Sequence, residues 1–101
     1  YVVRSNGPKR VFLADLKDES YKEINVKGNA AHCYVYDGRG YFTCCADYDN
    51  GTTLYEYDFS SGVLREVFRI EKGCVYSAAY AANLYCISIS DTVYCGLLRE
   101  A

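Results

Sequence analysis

The chain has 101 residues, of which 50% are hydrophobic and 24% are charged, and its formal net charge is -2. This length allows one ordinary domain, and this composition is that of a globular rather than a disordered protein. The basic residues are scattered, whereas nucleic-acid-binding surfaces concentrate them, and no apolar run approaches the ~20 residues that cross a bilayer. We therefore expect neither a nucleic-acid partner nor a membrane partner.

Short runs of alternating apolar residues, each bounded by turn residues, predict about ten β-strands. Tyrosine occurs 12 times and proline once, and tyrosine and β-branched residues favour a pleated, half-buried surface. The runs in chain order are Tyr1–Ser5, Arg10–Leu16, Tyr21–Val26, His32–Asp37, Tyr41–Ala46, Thr53–Phe59, Leu64–Ile70, Cys74–Tyr80, Leu84–Ser90 and Thr92–Leu98. The predicted fold class is all-β, with each strand antiparallel to its neighbour in sequence.

Two pairs of segments repeat along the chain, both at an offset of 43 residues. Residues 11–20, VFLADLKDES, match residues 54–63, LYEYDFSSGV, since both predicted strands end in Asp and an apolar residue before a polar turn. Residues 30–45 overlay residues 73–88 in the same way. A period of about 40 residues with four strands per period is typical of β-propeller blades.

The chain therefore resembles the β-propeller superfamily in the broad sense that includes the WD40, NHL and YWTD types. The resemblance implies a single module, residues 1–101, of about two and a half four-stranded antiparallel blades. A partial blade would span 1–26, a complete blade 30–70 and a second partial blade 73–101. Closed propellers have ~4–8 blades, so we expect a piece of a larger propeller or an assembly of several copies.

The 6 cysteines allow three interpretations: small core residues, disulfides or metal ligands. If Ser90 and Asp91 form a two-residue turn, Cys86 lies directly opposite Cys95, where a bridge is possible but often strains the pleat. The other four lack comparable partners, and no Cys-x-x-Cys pattern favours zinc. We favour small core residues, with disulfides and then a metal site as alternatives. Cysteines without partners favour an intracellular location, although the sequence leaves the compartment open.

Candidate ligand contacts lie in the predicted turn between the first two strands of the complete blade. Asp37 and Arg39 would be exposed there, at a rim or channel mouth, where propellers usually bind ligands. The single histidine, His32, has no evident carboxylate partner, which argues against a catalytic serine or cysteine. We predict no catalytic residue, no cofactor and no metal site.

The outermost strands of the two partial blades form the candidate interface. Strand 92–98 would leave backbone N–H and C=O groups unpaired, and neither proline nor an internal lysine blunts this edge. We expect residues 92–98 and the N-terminal segment 1–5 to contact another polypeptide, either a second copy or the rest of a larger propeller. The predicted contact residues are Thr92, Val93, Tyr94, Leu97, Tyr1 and Val3.

The sequence is compatible with three functions. Repeat folds present large, rigid surfaces, and no catalytic set is evident, so we expect a non-catalytic protein-interaction or scaffold module. The first alternative is a carbohydrate-binding, lectin-like propeller assembled from short subunits, because aromatic-rich blades suit stacking on sugars. The second alternative is a fragment of a propeller enzyme whose site is completed by other blades.

Overall fold

The structure is a computed structural model that describes residues 2–6 and 10–100, with side chains from residue 10 onward. It is all-β, as predicted, and its only helical element in the described residues is a 3-10 turn at Tyr48–Asn50. The strands are β1 (Val2–Asn6), β2 (Arg10–Asp15), β3 (Ser20–Ile24), β4 (Asn29–Tyr36), β5 (Arg39–Cys45), β6 (Thr52–Asp58), β7 (Leu64–Ile70), β8 (Val75–Ala81), β9 (Leu84–Ile89) and β10 (Thr92–Leu97).

The strands form three antiparallel sheets, and in each sheet consecutive strands are neighbours. Sheet 1 contains β1–β3, sheet 2 contains β4–β7 and sheet 3 contains β8–β10. The four strands of sheet 2 were predicted as one unit over residues 30–70. β1 of sheet 1 lies alongside β4, and β4 in turn contacts β8, so sheet 2 is the central layer.

The first pair of predicted repeats ends in the same kind of turn. The carboxylate of Asp15 accepts a hydrogen bond of 2.9 Å from the backbone N–H of Lys17. The carboxylate of Asp58 accepts one of 2.9 Å from the backbone N–H of Ser60. Both are Asx turns, in which a side chain replaces a backbone acceptor, and they lie 43 residues apart, as the sequence predicts.

The second pair of repeats has a different offset from the predicted one. In the β4–β5 hairpin Tyr36 pairs with Arg39, and in the β8–β9 hairpin Ala81 pairs with Leu84. These equivalent pairs lie 45 residues apart, so the predicted offset of 43 is wrong here. A bulge at Val67 in β7 accounts for one of the two extra residues, because a bulge adds a residue to one strand without a partner on the other.

Two hydrophobic cores lie on the two faces of the central sheet. Because side chains alternate across a strand, Phe42 and Cys44 of β5 face sheet 1, whereas Tyr41 faces sheet 3. The core toward sheet 1 contains Val11, Leu13, Ile24, Ala30, Phe42, Cys44 and Tyr57. The core toward sheet 3 contains Tyr41, Leu54, Tyr85, Ile87, Ile89 and Leu98. β5 and β6 are thus buried along most of both faces, and their buried positions include polar residues as well as apolar ones.

Tyrosines join the first strands of sheets 2 and 3. The rings of Tyr34 and Tyr80 stack with their centroids 4.8 Å apart. The Tyr80 hydroxyl donates to the carbonyl of His32 at 2.7 Å, and the Tyr34 hydroxyl donates to the carbonyl of Ala82 at 3.0 Å. Stacked rings combine buried area with defined geometry, so these contacts fix the position of sheet 3 on the central sheet.

The cysteines differ from the favoured interpretation at one pair. The predicted register, with Cys86 opposite Cys95, is confirmed, but the two residues form a disulfide instead of serving as small core residues. That part of the prediction is wrong. The remaining four are thiols of differing exposure: Cys44 and Cys45 are buried, Cys33 is half-buried and Cys74 is exposed.

Candidate functional site

The outer face of sheet 3 points away from the central sheet and carries no charged side chain among the described residues. Leu84, Val93 and Leu97 expose 53%, 61% and 52% of their surface there. The register of the sheet places Val93 opposite Ser88 and Leu97 opposite Leu84. The residues of this face are Ser77, Ala79, Ala81, Leu84, Cys86, Ser88, Val93, Cys95 and Leu97. An exposed apolar patch of this kind is typical of interaction surfaces.

The Cys86–Cys95 disulfide lies in the middle of this outer face and links β9 to β10. On β8, Ala79 is the partner of Cys86, so a row of three small side chains crosses the sheet. Such a row leaves the centre of the face low, between the larger side chains of Leu84 and Val93. The bridge also ties the outermost strand to its neighbour.

β10 is the edge strand of sheet 3 and pairs only with β9 in the described part of the chain. Its inward-facing Gly96 is required by packing, since a Cβ atom there would lie 2.7 Å from the hydroxyl oxygen of Tyr85. The other long side of β10 presents backbone N–H and C=O groups without a neighbouring strand. An edge of this kind can pair with a further strand.

The predicted interface residues on β10 fall on two sides of sheet 3. Val93 and Leu97 lie on the outer face, and Thr92 is exposed at the turn, where its hydroxyl donates to Asp91. Tyr94 points the other way and packs against Phe68, with ring centroids 5.4 Å apart. The two N-terminal candidates are Tyr1, which lies outside the described residues, and Val3, whose backbone pairs with Leu13.

A buried carboxylate, Glu56 of β6, is the centre of a charged cluster that the sequence did not reveal. Glu56 is 5% exposed, and Arg65 donates to its two oxygens with both bonds at 3.1 Å. The Tyr41 hydroxyl donates to it at 2.8 Å. Arg99 and Arg39 form longer ion pairs with it, at 3.5 Å and 4.0 Å. The sequence signal was only an acidic residue at an inward position of a strand.

The partners of Glu56 determine its protonation. Burial by itself raises the pKa of this carboxyl, but hydrogen bonds from Arg65 and Tyr41 and the charges of Arg65 and Arg99 outweigh burial. The net pKa of Glu56 is therefore lowered, and the group is ionised at neutral pH. Burial and the hydrogen bond to Glu56 raise the pKa of Tyr41, which keeps its hydroxyl protonated as a donor.

The cluster fastens the end of sheet 3 to the central sheet. Arg65 also donates to the carbonyl of Leu98 at 3.2 Å, directly after β10. The backbone N–H of Arg99 donates to the side chain of Asn83 at 3.0 Å. Arg65 and Arg99 thus connect the segment after β10 to Glu56, which gives this cluster a structural role.

The two predicted ligand contacts lie at the edge of this cluster. Arg39 exposes 19% of its side chain and pairs with Asp37 at 3.5 Å and with Asp58 at 3.7 Å. Asp37 exposes 72% of its side chain. Most of the guanidinium of Arg39 is therefore directed at carboxylates of its own chain, whereas Asp37 faces solvent.

The environments of His32 and of the buried Cys44 thiol indicate structural rather than catalytic roles. The Thr43 hydroxyl donates to the carbonyl of Ala31 at 3.1 Å, so the Nδ1 atom of His32, 3.0 Å from the same hydroxyl, carries the hydrogen and donates to it. Burial lowers the pKa of His32. Burial also disfavours the charged form of Cys44 and raises its pKa to about 12, which opposes formation of a nucleophilic thiolate.

Comparisons of the chain with protein-family models, with curated proteins and with solved structures give no match. In residues 2–6 and 10–100, no three His, Cys, Asp or Glu side chains are grouped so that they would hold a metal ion. The same residues contain no helix of the length and apolar character that crossing a bilayer requires. The outer face of sheet 3 is the surface with the clearest chemical character.

Proposed function

We propose that the chain is a non-catalytic protein-interaction or scaffold module built from propeller-type blades. The observation that carries the proposal is the uncharged outer face of sheet 3, with its exposed Leu84, Val93 and Leu97, beside the open edge of β10. Removing apolar area from water contributes roughly 25 cal/mol per Å² toward association, and this gain opposes the free energy lost when two molecules give up independent motion. The exposed apolar area therefore supports this surface as the proposed contact site for another polypeptide.

The arrangement of sheets supports the blade interpretation. Three consecutive meanders pack face to face, with β4 in contact with both β1 and β8. The Asx turns at Asp15 and Asp58 are 43 residues apart, and the hairpin turns at Asp37 and Ala82 are 45 residues apart. Repetition of one meander unit with the same turn chemistry is the principle on which propeller blades are built.

The proposed partner is another β-sheet with an uncharged face, supplied by a second copy or by further blades. The opposite end of the molecule is a useful contrast, because the outer face of sheet 1 carries an ion pair of 3.1 Å between Arg10 and Glu23. The guanidinium of Arg10 also lies 4.9 Å from the centre of the Phe12 ring. Covering that face would remove charges from water at a cost, whereas covering sheet 3 would not.

Sedimentation velocity of the isolated chain at tens of micromolar tests the proposal, with Val93→Lys as the variant. We expect concentration-dependent association of the native chain and a shift to monomer in the variant, because a lysine would be desolvated in the contact. Val63→Lys is the matched control, since Val63 is 59% exposed in the connection between β6 and β7. A folded monomer at these concentrations, unchanged by Val93→Lys, would contradict the proposal.

A further inference from the structure

Two thiols from different parts of the fold meet at the junction of sheets 2 and 3. Cys45 is the last residue of β5 and is 8% exposed, and Cys74 is exposed in the connection between β7 and β8. The two thiols are near enough for Cys45 to perturb the titration of Cys74. The Sγ atom of Cys45 also lies 3.9 Å from the carbonyl oxygen of Gly73, in the peptide unit that precedes Cys74.

Thr52, at the start of β6, fixes the relative position of these thiols. Thr52 is the strand partner of Cys45. Its buried hydroxyl donates to the carbonyl of Gly73 at 2.7 Å and accepts from the backbone N–H of Val75 at 3.1 Å. One residue thus binds the backbone on both sides of Cys74 and pairs with the strand that ends in Cys45.

We propose that Cys45 and Cys74 form a second disulfide, a covalent latch between the central sheet and sheet 3, by exchange with a small-molecule disulfide such as oxidised glutathione. The geometry suits this reaction because Cys74 is open to solvent, while the buried Cys45 sulfur lies beside the peptide unit that precedes Cys74. The bridge would close residues 46–73 into a loop and connect the two sheets at the point where Gly73 already bonds to Thr52.

The reaction balances in two exchange steps. The Cys74 thiolate attacks one sulfur of oxidised glutathione, so the glutathione S–S bond breaks and one glutathione thiolate leaves. The Cys45 thiolate then attacks the Cys74 sulfur of the mixed disulfide and expels the second glutathione. The two cysteines are oxidised, glutathione disulfide is reduced to two thiols, and these thiols take up the two protons that the cysteines released.

The exchange is best followed at about pH 8.5. Interaction with the neighbouring Cys45 thiol, and then burial, raise the pKa of Cys74 to about 11, so little thiolate is present at neutral pH. After the remaining thiols are alkylated and the chain is digested with trypsin without reductant, tryptic peptide 40–65 should be found linked to tryptic peptide 73–99. We also expect the thermal midpoint to rise by roughly 10 °C on oxidation, because the closed loop constrains the unfolded chain.

Two alanine variants at neighbouring positions make the test specific. Cys45→Ala should abolish the cross-link and the rise in the thermal midpoint, whereas Cys44→Ala, one residue earlier in the same peptide, should retain both. Cys74→Ser should also abolish the cross-link and, because Cys74 is exposed, should leave the reduced fold unchanged. A native chain that gains glutathione on Cys74 but never links it to Cys45 would overturn the proposal.

Discussion

The two faces of the central sheet are built from the same strands, yet different interactions stabilise them. Toward sheet 1, Phe42 and Cys44 pack against Val11 and Leu13, and apolar packing dominates this side. Toward sheet 3, the buried positions include the carboxylate of Glu56 with its arginine and tyrosine partners. The first face depends on area removed from water, whereas the second depends on every buried polar group having a partner.

This difference matters because the two kinds of face fail in different ways. An apolar face loses stability in proportion to the side chain removed and the cavity left behind. A buried ion pair contributes little net free energy while it is complete, but losing one member leaves uncompensated charge. The face toward sheet 1 should therefore respond to side-chain volume, and the face toward sheet 3 to charge and to pH.

The largest effect is expected from Phe42→Ala, which removes a fully buried ring from the face toward sheet 1. The free energy of unfolding should fall by roughly 3–5 kcal/mol, measured by urea denaturation at neutral pH. Tyr48→Ala is the control, because this ring is 58% exposed on the 3-10 turn and its loss should cost less than about 0.5 kcal/mol. Equal losses in the two variants would show that this face does not act as an apolar core.

A smaller but pH-dependent effect is expected from Glu56→Gln. The free energy of unfolding should fall by roughly 2–3 kcal/mol at pH 7, since the arginines around the site lose their carboxylate. The matched control is Glu66→Gln on β7, where Glu66 is 52% exposed and pairs with Arg69 at 3.7 Å. Its loss should stay within about 0.5 kcal/mol.

The pH dependence of this difference follows from the lowered pKa of Glu56. In the unfolded chain the carboxyl titrates near its ordinary value of 4.5, so its stabilising contribution is complete above that pH. The contribution is lost as the pH falls through the lower pKa of the folded state. Native protein and Glu56→Gln should therefore converge in stability on acidification, and a difference that stays constant from pH 7 to below pH 3 would contradict the assignment.

The smallest effect is expected at His32, which binds Thr43 on the same side of the sheet. Burial lowers its folded-state pKa, so the unfolded chain takes up a proton more readily and stability falls as the pH drops below about 6.5. His32→Asn keeps a donor and suits the left-handed backbone at this position, where φ is 54°. Urea denaturation should show that the free energy of unfolding of the native chain falls between pH 7.5 and 5.5. The variant should lack this fall. An identical slope in both proteins would exclude His32 as its source.

Local patterns were enough to predict the strands and the hairpin that ends the chain. Alternation of apolar residues and the turn residues between them depend on neighbours in sequence, so the all-β class and the pairing of Cys86 with Cys95 followed directly. The same reasoning could not predict that these two cysteines are oxidised, because register specifies distance but not redox state. It also missed the bulge at Val67, which has no reliable sequence signal.

The candidate site was predicted only where it depends on strand alternation. Val93 and Leu97 lie on the outer face of sheet 3. Each is an odd number of positions from Tyr94, and side chains alternate along a strand, so Tyr94 must point to the opposite face. That Tyr94 is the one turned inward depends on Phe68, a residue of another sheet. Periodicity divides a strand into two faces, but it does not identify the covered one.

By itself, the sequence determined the strands, their order and the turns between them, because these depend on interactions within a few residues. Arg65 and Arg39 lie on the strands next to Glu56 within sheet 2, whereas the tertiary structure alone decided that Arg99 would join them, since Arg99 reaches Glu56 only when sheets 2 and 3 pack. It also decided that Cys45 meets Cys74. Contacts between residues far apart in sequence depend on how sheets stack, and stacking is a property of whole faces rather than of any local pattern.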